Sequence, residues 1–208
     1  MRWAWVAAIG VAACGPRPDA VDPSENVELA VPAMPTVPPA ASTAASPATT
    51  ANPNAGRCVT PMAENPRPIP PPAAHCPVDP QRSASLPVAE FGFESGLAIE
   101  AELAKNEHDI QKGLMYRRSM SDGQGMFFKL DRRRDQQFWM HNTCIPLDML
   151  FIEDDGLIVG VVEGAAPLTD SVRSCGCPSS FVLEVNAGWV RKNGIKPGQR
   201  ITIPFSAR

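Results

Sequence analysis

No aromatic residue occurs between Trp5 and Phe91, and 18 of the 23 prolines lie between Pro16 and Pro87. Lysine is absent before Lys105. Large apolar side chains must leave water to offset the entropy of ordering a chain, and this stretch has few of them. A second buried core is therefore excluded. So are folds that need most of the 208 residues, such as a Rossmann domain with a substrate domain or a TIM barrel. The chain reads as three parts. Residues 1–13 form a leader, 14–88 a disordered Pro/Ala/Ser/Thr-rich tether, and 89–208 one folded domain.

The leader narrows where the protein works. Arg2 precedes an uncharged, mostly apolar run from Trp3 to Ala13. A bilayer span needs about 20 such residues, so the run suits a cleaved signal segment. It ends in Val11-Ala12-Ala13-Cys14-Gly15, which resembles the lipobox of bacterial lipoproteins. Lipidation at Cys14 would hold the chain to a membrane by acyl chains instead of a helix. The expected location is the bacterial cell envelope, on the periplasmic or surface face, and the first partner is a lipid bilayer.

The folded part alternates in the manner of strands. Leu97, Ile99, Ala101 and Leu103 alternate with Glu100 and Glu102. Strands are also expected at 125–130, 137–140, 147–153, 157–163, 181–185 and 200–204. Asp131 to Gln137 reads as a charged loop. Asn106 is placed to cap a helix running toward Arg118, and a second short helix spans Ala187 to Lys192. Asp154-Asp155-Gly156 is a hairpin turn. The fold class is all-β with one or two short helices, a compact barrel or sandwich.

Several motifs here resemble one family. They are Gly113-Leu114-Met115-Tyr116-Arg117, Gly125-Met126-Phe127-Phe128 and Phe138-Trp139-Met140-His141-Asn142-Thr143. Ile145-Pro146-Leu147-Asp148 and Val182-Leu183-Glu184 follow in the same order. The segment 97–204 resembles the domain of unknown function 192 family. The resemblance implies a compact, often exported β-barrel-like domain and names no reaction. His141, Cys144 and Gln199 depart from the family pattern, and Cys144 suggests a local addition.

Trp139, His141, Asn142, Thr143 and Asp148, with Arg117, are the candidate ligand-binding residues. Trp139 would be a stacking platform and the others would supply directional hydrogen bonds, a set suited to a sugar or another small polar molecule. In the alternative, structural reading Trp139 is core, Asn142 and Thr143 satisfy backbone groups before Pro146, and Asp148 pairs with Arg117. Catalysis is not the expected role. A Cys144–His141 pair oriented by Asp148 or Glu184 is expressible, but no local nucleophile signature supports it. No cofactor is implied.

With Cys14 acylated, five thiols remain: Cys58, Cys76, Cys144, Cys175 and Cys177. An exported protein is expected to oxidise them. A local Cys58–Cys76 loop is the favoured pairing, and pinning of the tether to the domain is the alternative. Cys144 would bridge to Cys175 or Cys177. A different function class uses His141, Cys144, Cys175 and Cys177 as a metal or thiol-redox site. The Arg132-Arg133-Arg134 run reads as a solvated loop tip. With both signs of charge balanced across the domain, nucleic acid is not an expected partner.

Overall fold

The computed structural model describes residues 54–81 and 85–208. Residues 1–13 and Cys14, the expected leader and lipidation site, lie outside the described residues.

Seven strands form one curled sheet in the order β5-β4-β6-β3-β2-β1-β7. They are β1 (Val88–Phe93), β2 (Ala98–Ala104), β3 (Gln124–Asp135), β4 (Leu147–Ile152), β5 (Ile158–Ala165), β6 (Pro178–Asn186) and β7 (Ile201–Thr202). All neighbours are antiparallel except β2 and β3. A parallel pair needs a crossover, and that crossover carries helix α1 (Glu107–Lys112). Helix α2 (Trp189–Lys192) follows β6. The sheet curls until its two ends touch. Leu157 bridges Arg200, Ile158 N donates to Gln199 O and Ile201 N donates to Gly156 O, both at 2.9 Å. The result is a half-barrel, and the all-β expectation holds.

The sheet is buried on both faces, so simple alternation fails in its middle. Phe91, Phe127, Leu150, Leu183 and Trp189 belong to one core cluster. Met126, Phe128, Met149, Phe151 and Val182 belong to another on the opposite face. β4 has no exposed residue for the same reason. Only β2 keeps the clean pattern, with Glu100 exposed and Glu102 half-buried between buried neighbours.

α1 begins as its sequence dictates. The Asn106 side chain accepts from Asp109 N at 3.0 Å, and Glu107 and Asp109 lie in the first turn. It stops after Lys112, short of Arg118, because Gly113 turns to φ +49°. Beyond it, Tyr116 and Asn142 both adopt left-handed backbone, at φ +66° and +52°. Tyr116 N donates to Asn142 O at 2.8 Å, and Asn142 Nδ2 donates to the Tyr116 hydroxyl at 2.9 Å. This reciprocal pair locks the corner before Pro146.

Three elements differ from expectation. Residues 131–135 continue β3, past a register shift between Lys129 and Arg134. There Arg133 forks onto Glu153 with two bonds of 2.6 Å, and the buried Gln136 amide bonds the carbonyls of Arg132 and Ser179. Residues 137–140 form no strand; Phe138 makes one isolated bridge with Arg173. β1 was not expected, because it begins directly after Pro87.

The largest difference lies upstream. Residues 54–81, read as part of the tether, dock on the domain as a strap. Cys58 is bonded to Cys177 and Cys76 to Cys144. The local Cys58–Cys76 loop is thereby overturned, as are the bridges expected from Cys144 to Cys175 or Cys177. Thr60 N donates to Val159 O at 2.8 Å, Arg191 donates to Ala63 O at 2.5 Å, and Ala73 N donates to Cys144 O at 2.8 Å. Gly160 admits the strap and the Cys175 loop closely: a Cβ there would lie 2.4 Å from Cys175 Cβ. Prolines cannot join a sheet ladder, yet their preset extended backbone loses little entropy on docking. No helix among the described residues is long and apolar enough to cross a membrane.

Candidate functional site

A cleft of about 220 Å³ opens between the end of α1, β3, the 136–139 segment and β6. Gly113 and Leu114 form one wall. Phe128, Phe138 and Trp139 supply aromatic surface, and Thr143 and Glu184 reach it from below. Trp139 is 54 % exposed, so it is not core. Its other side faces a larger, open groove of about 640 Å³ bordered by Asp79, Pro80 and Gln81 of the strap. Lys112 ties that border to α1, donating to both Asp79 carboxylate oxygens at 2.9 and 3.1 Å and to Gln81 O at 2.7 Å.

Glu184 is the unusual member. It sits in β6 with Met126 and Met149 as its neighbours in register, both apolar and buried. Only 4 % of the residue is exposed. Its carboxyl has no hydrogen-bond or ion-pair partner among the described residues, and burial alone pushes its pKa up to about 8. A neutral carboxylic acid therefore borders the cleft at neutral pH. Sequence reasoning placed Glu184 only as an orienter for His141. The signal that could have found it is an acid inside an otherwise apolar strand run, Phe181 to Val185.

The six predicted ligand residues do not converge. Trp139 and Thr143 line the cleft. His141 stacks on Trp139 from outside, with ring centroids 5.2 Å apart, and its Nδ1 lies 2.7 Å from Asp170 Oδ1. Asn142 is spent on Tyr116. Arg117 makes a bidentate pair with Glu102 at 2.5 and 2.7 Å, not with Asp148. Asp148 is fully buried and accepts from Gly164 N at 2.9 Å and Val190 N at 3.2 Å. Burial raises its pKa, and backbone amides oppose that shift. The predicted Arg117–Asp148 pair is thus corrected: Arg117 finds the nearer acid on β2, while Asp148 satisfies one amide of β5 and one at the start of α2.

The metal and thiol alternatives fail on the same bonds. Cys144 and Cys177 are consumed in disulfides, so His141, Cys144, Cys175 and Cys177 are not a ligand set. No group of three or more metal-capable side chains occurs among the described residues. A Cys144 nucleophile is removed for the same reason. Among the described residues Cys175 alone stays a thiol; it is buried, and desolvation pushes its pKa up, away from reactivity.

Two solved structures resemble this domain. One is a proposed transcription regulator from Sinorhizobium meliloti 1021, 37 % identical, with a TM-score of 0.55 over 58 % of this chain and 96 % of its own. The other is a protein of unknown function from Novosphingobium aromaticivorans DSM 12444, 32 % identical, with a TM-score of 0.55 over 63 % of this chain and 94 % of its own. No curated protein matches the chain. A family model matches residues 91–203, leaving Cys58, Cys76 and the strap outside the matched segment. That match spans more than half of the sequence and takes in every residue that lines the cleft, and the chain belongs to DUF192, described as an uncharacterized ACR.

Proposed function

We propose that this protein is an exported lipoprotein of the bacterial envelope whose half-barrel binds a small polar ligand, or a carbohydrate, without catalysis. One observation carries the binding reading: a half-exposed Trp139 forms the wall of a cleft that also holds a buried carboxyl, Glu184, without a partner among the described residues. An aromatic wall with few convergent polar groups suits a small polar molecule. The two strap disulfides favour an oxidising compartment, which agrees with the leader and Cys14. Catalysis is left out because the cleft has one acid and neither a base partner nor a free nucleophile among its lining residues.

The test is saturation-transfer NMR on the oxidised chain with a panel of neutral sugars, amines and amino acids. Transfer to at least one member in the wild type, lost in Trp139→Ala, supports the reading. Transfer to none, or transfer unchanged in Trp139→Ala, contradicts it.

A further inference from the structure

This inference rests on the ligand-binding reading and names the chemistry of the ligand. Two groups of opposite charge type meet one cleft from different strands. Glu184 enters from β6, buried and without a partner among the described residues. Arg134 enters at the mouth from the end of β3 and is exposed. Its guanidinium makes one bond, from Nε to the neutral Gln136 Oε1 at 3.3 Å, and has no acidic partner among the described residues. The two do not form an ion pair with each other. The remaining cation of the cleft, Lys112, is already held by Asp79.

A buried carboxyl beside aromatic faces suits an ammonium group. The attraction between the two charges is larger in a low-dielectric site than in water, and ring faces attract cations. A guanidinium whose two outer nitrogens are free suits a carboxylate, which it can grip in bidentate fashion. We propose that the cleft binds a small zwitterion of the α-amino acid type, its ammonium on Glu184 and its carboxylate on Arg134. The cleft, about 220 Å³, is smaller than the pockets that take drug-sized molecules and fits a ligand of this size. A neutral sugar would leave Glu184 protonated and Arg134 without an anion.

Proton balance gives the proposal a signature. Free Glu184 holds its proton at neutral pH, with a pKa of about 8. Pairing with an ammonium ionises it, so the carboxyl proton leaves to solvent as the ligand enters. The other charged groups facing the cleft are Lys112 from α1, paired with Asp79, and Arg134 from β3. Affinity therefore rises between pH 6 and 8.

The experiment is calorimetry on the oxidised full chain with L-alanine, ethylamine and N-acetyl-L-alanine, in two buffers of different ionisation enthalpy. The expected result is that alanine binds at least tenfold tighter than either analogue and releases a proton. Arg134→Ala should bring alanine down to the affinity of ethylamine. Glu184→Gln should abolish proton release and the preference over N-acetylalanine. Alanine binding no tighter than the analogues, or unaltered in both variants, overturns the proposal. If only neutral sugars bind, and are lost in Trp139→Ala, the zwitterion is wrong and the ligand site stands. If nothing binds, both fall.

Discussion

Cys76 is bonded to Cys144, 68 positions further along the chain, with 5.5 Å between their Cα atoms. The Cys58–Cys177 bond spans 119 residues and encloses the first. Long closed loops restrict the unfolded chain most in the entropic model, so loss of one such bond costs about 2–4 kcal/mol. Cys76→Ser combined with Cys144→Ser should lower stability by that amount in urea denaturation. Limited proteolysis should then cut within 54–81 before the half-barrel. A variant as stable and as resistant as the wild type would mean that the strap is not held by this bond.

Glu102, which pairs with Arg117, and Asp148, which the sequence reading paired with it, differ sharply in what depends on them. Arg117 and Glu102 form a half-exposed pair, 30 % and 24 % accessible, which water screens. Arg117→Ala should cost about 1 kcal/mol or less, and added salt should shrink that cost further. Asp148 holds two backbone amides in a dry site. Asp148→Ala strands them and should cost about 2–4 kcal/mol. Thermal unfolding of both variants checks the ranking, and equal losses would contradict it.

Glu184 makes stability fall with pH. Below about 4.5 the carboxyl is protonated in both folded and unfolded chains. From there to about 8 the unfolded chain ionises while the folded one does not. The unfolded state then binds fewer protons, so stability declines by up to about 1.4 kcal/mol per pH unit across that window. Asp148 acts in the same direction more weakly. Glu184→Gln should flatten most of this slope and be a few kcal/mol more stable than the wild type at pH 8. A wild-type profile flat from pH 5 to 8 would contradict the burial argument.

Cys14→Ser should release the protein from the membrane fraction into the soluble fraction of the envelope. Retention in the membrane would remove the acyl anchor from the account.

How much of this was legible in the sequence depends on which interactions were local. β2 and the Asn106 cap are set by neighbours within four residues, and both fall where the pattern puts them. The all-β class followed from the strand pattern and the family resemblance, which pointed to a compact barrel or sandwich; the half-barrel form came from the structure. Residues 137–140 look like a strand because Phe138, Trp139 and Met140 form a short run of bulky side chains between polar Gln137 and His141. The burial of Phe138 and Met140 instead comes from an irregular corner held by Tyr116, 26 residues upstream of Asn142. The strap was hidden by its composition. Proline signals an extended chain, but whether that chain docks was decided by Cys58 and Cys76 meeting partners more than 60 residues away. At the site, Trp139 and Thr143 were legible as a polar-aromatic cluster. Glu184 was not, because nothing in one strand's sequence says that both neighbouring strands place methionines beside it.

The proposed site depends on the Glu184 carboxyl, which is buried, open to a cleft and without a partner among the described residues. The direct measurement is a ¹³C-carboxyl NMR titration of Glu184 in the oxidised chain, assigned with Glu184→Gln. The predicted midpoint is about 8. A midpoint near the ordinary value of 4.5 would show a hydrated or partnered carboxylate, and would contradict the site.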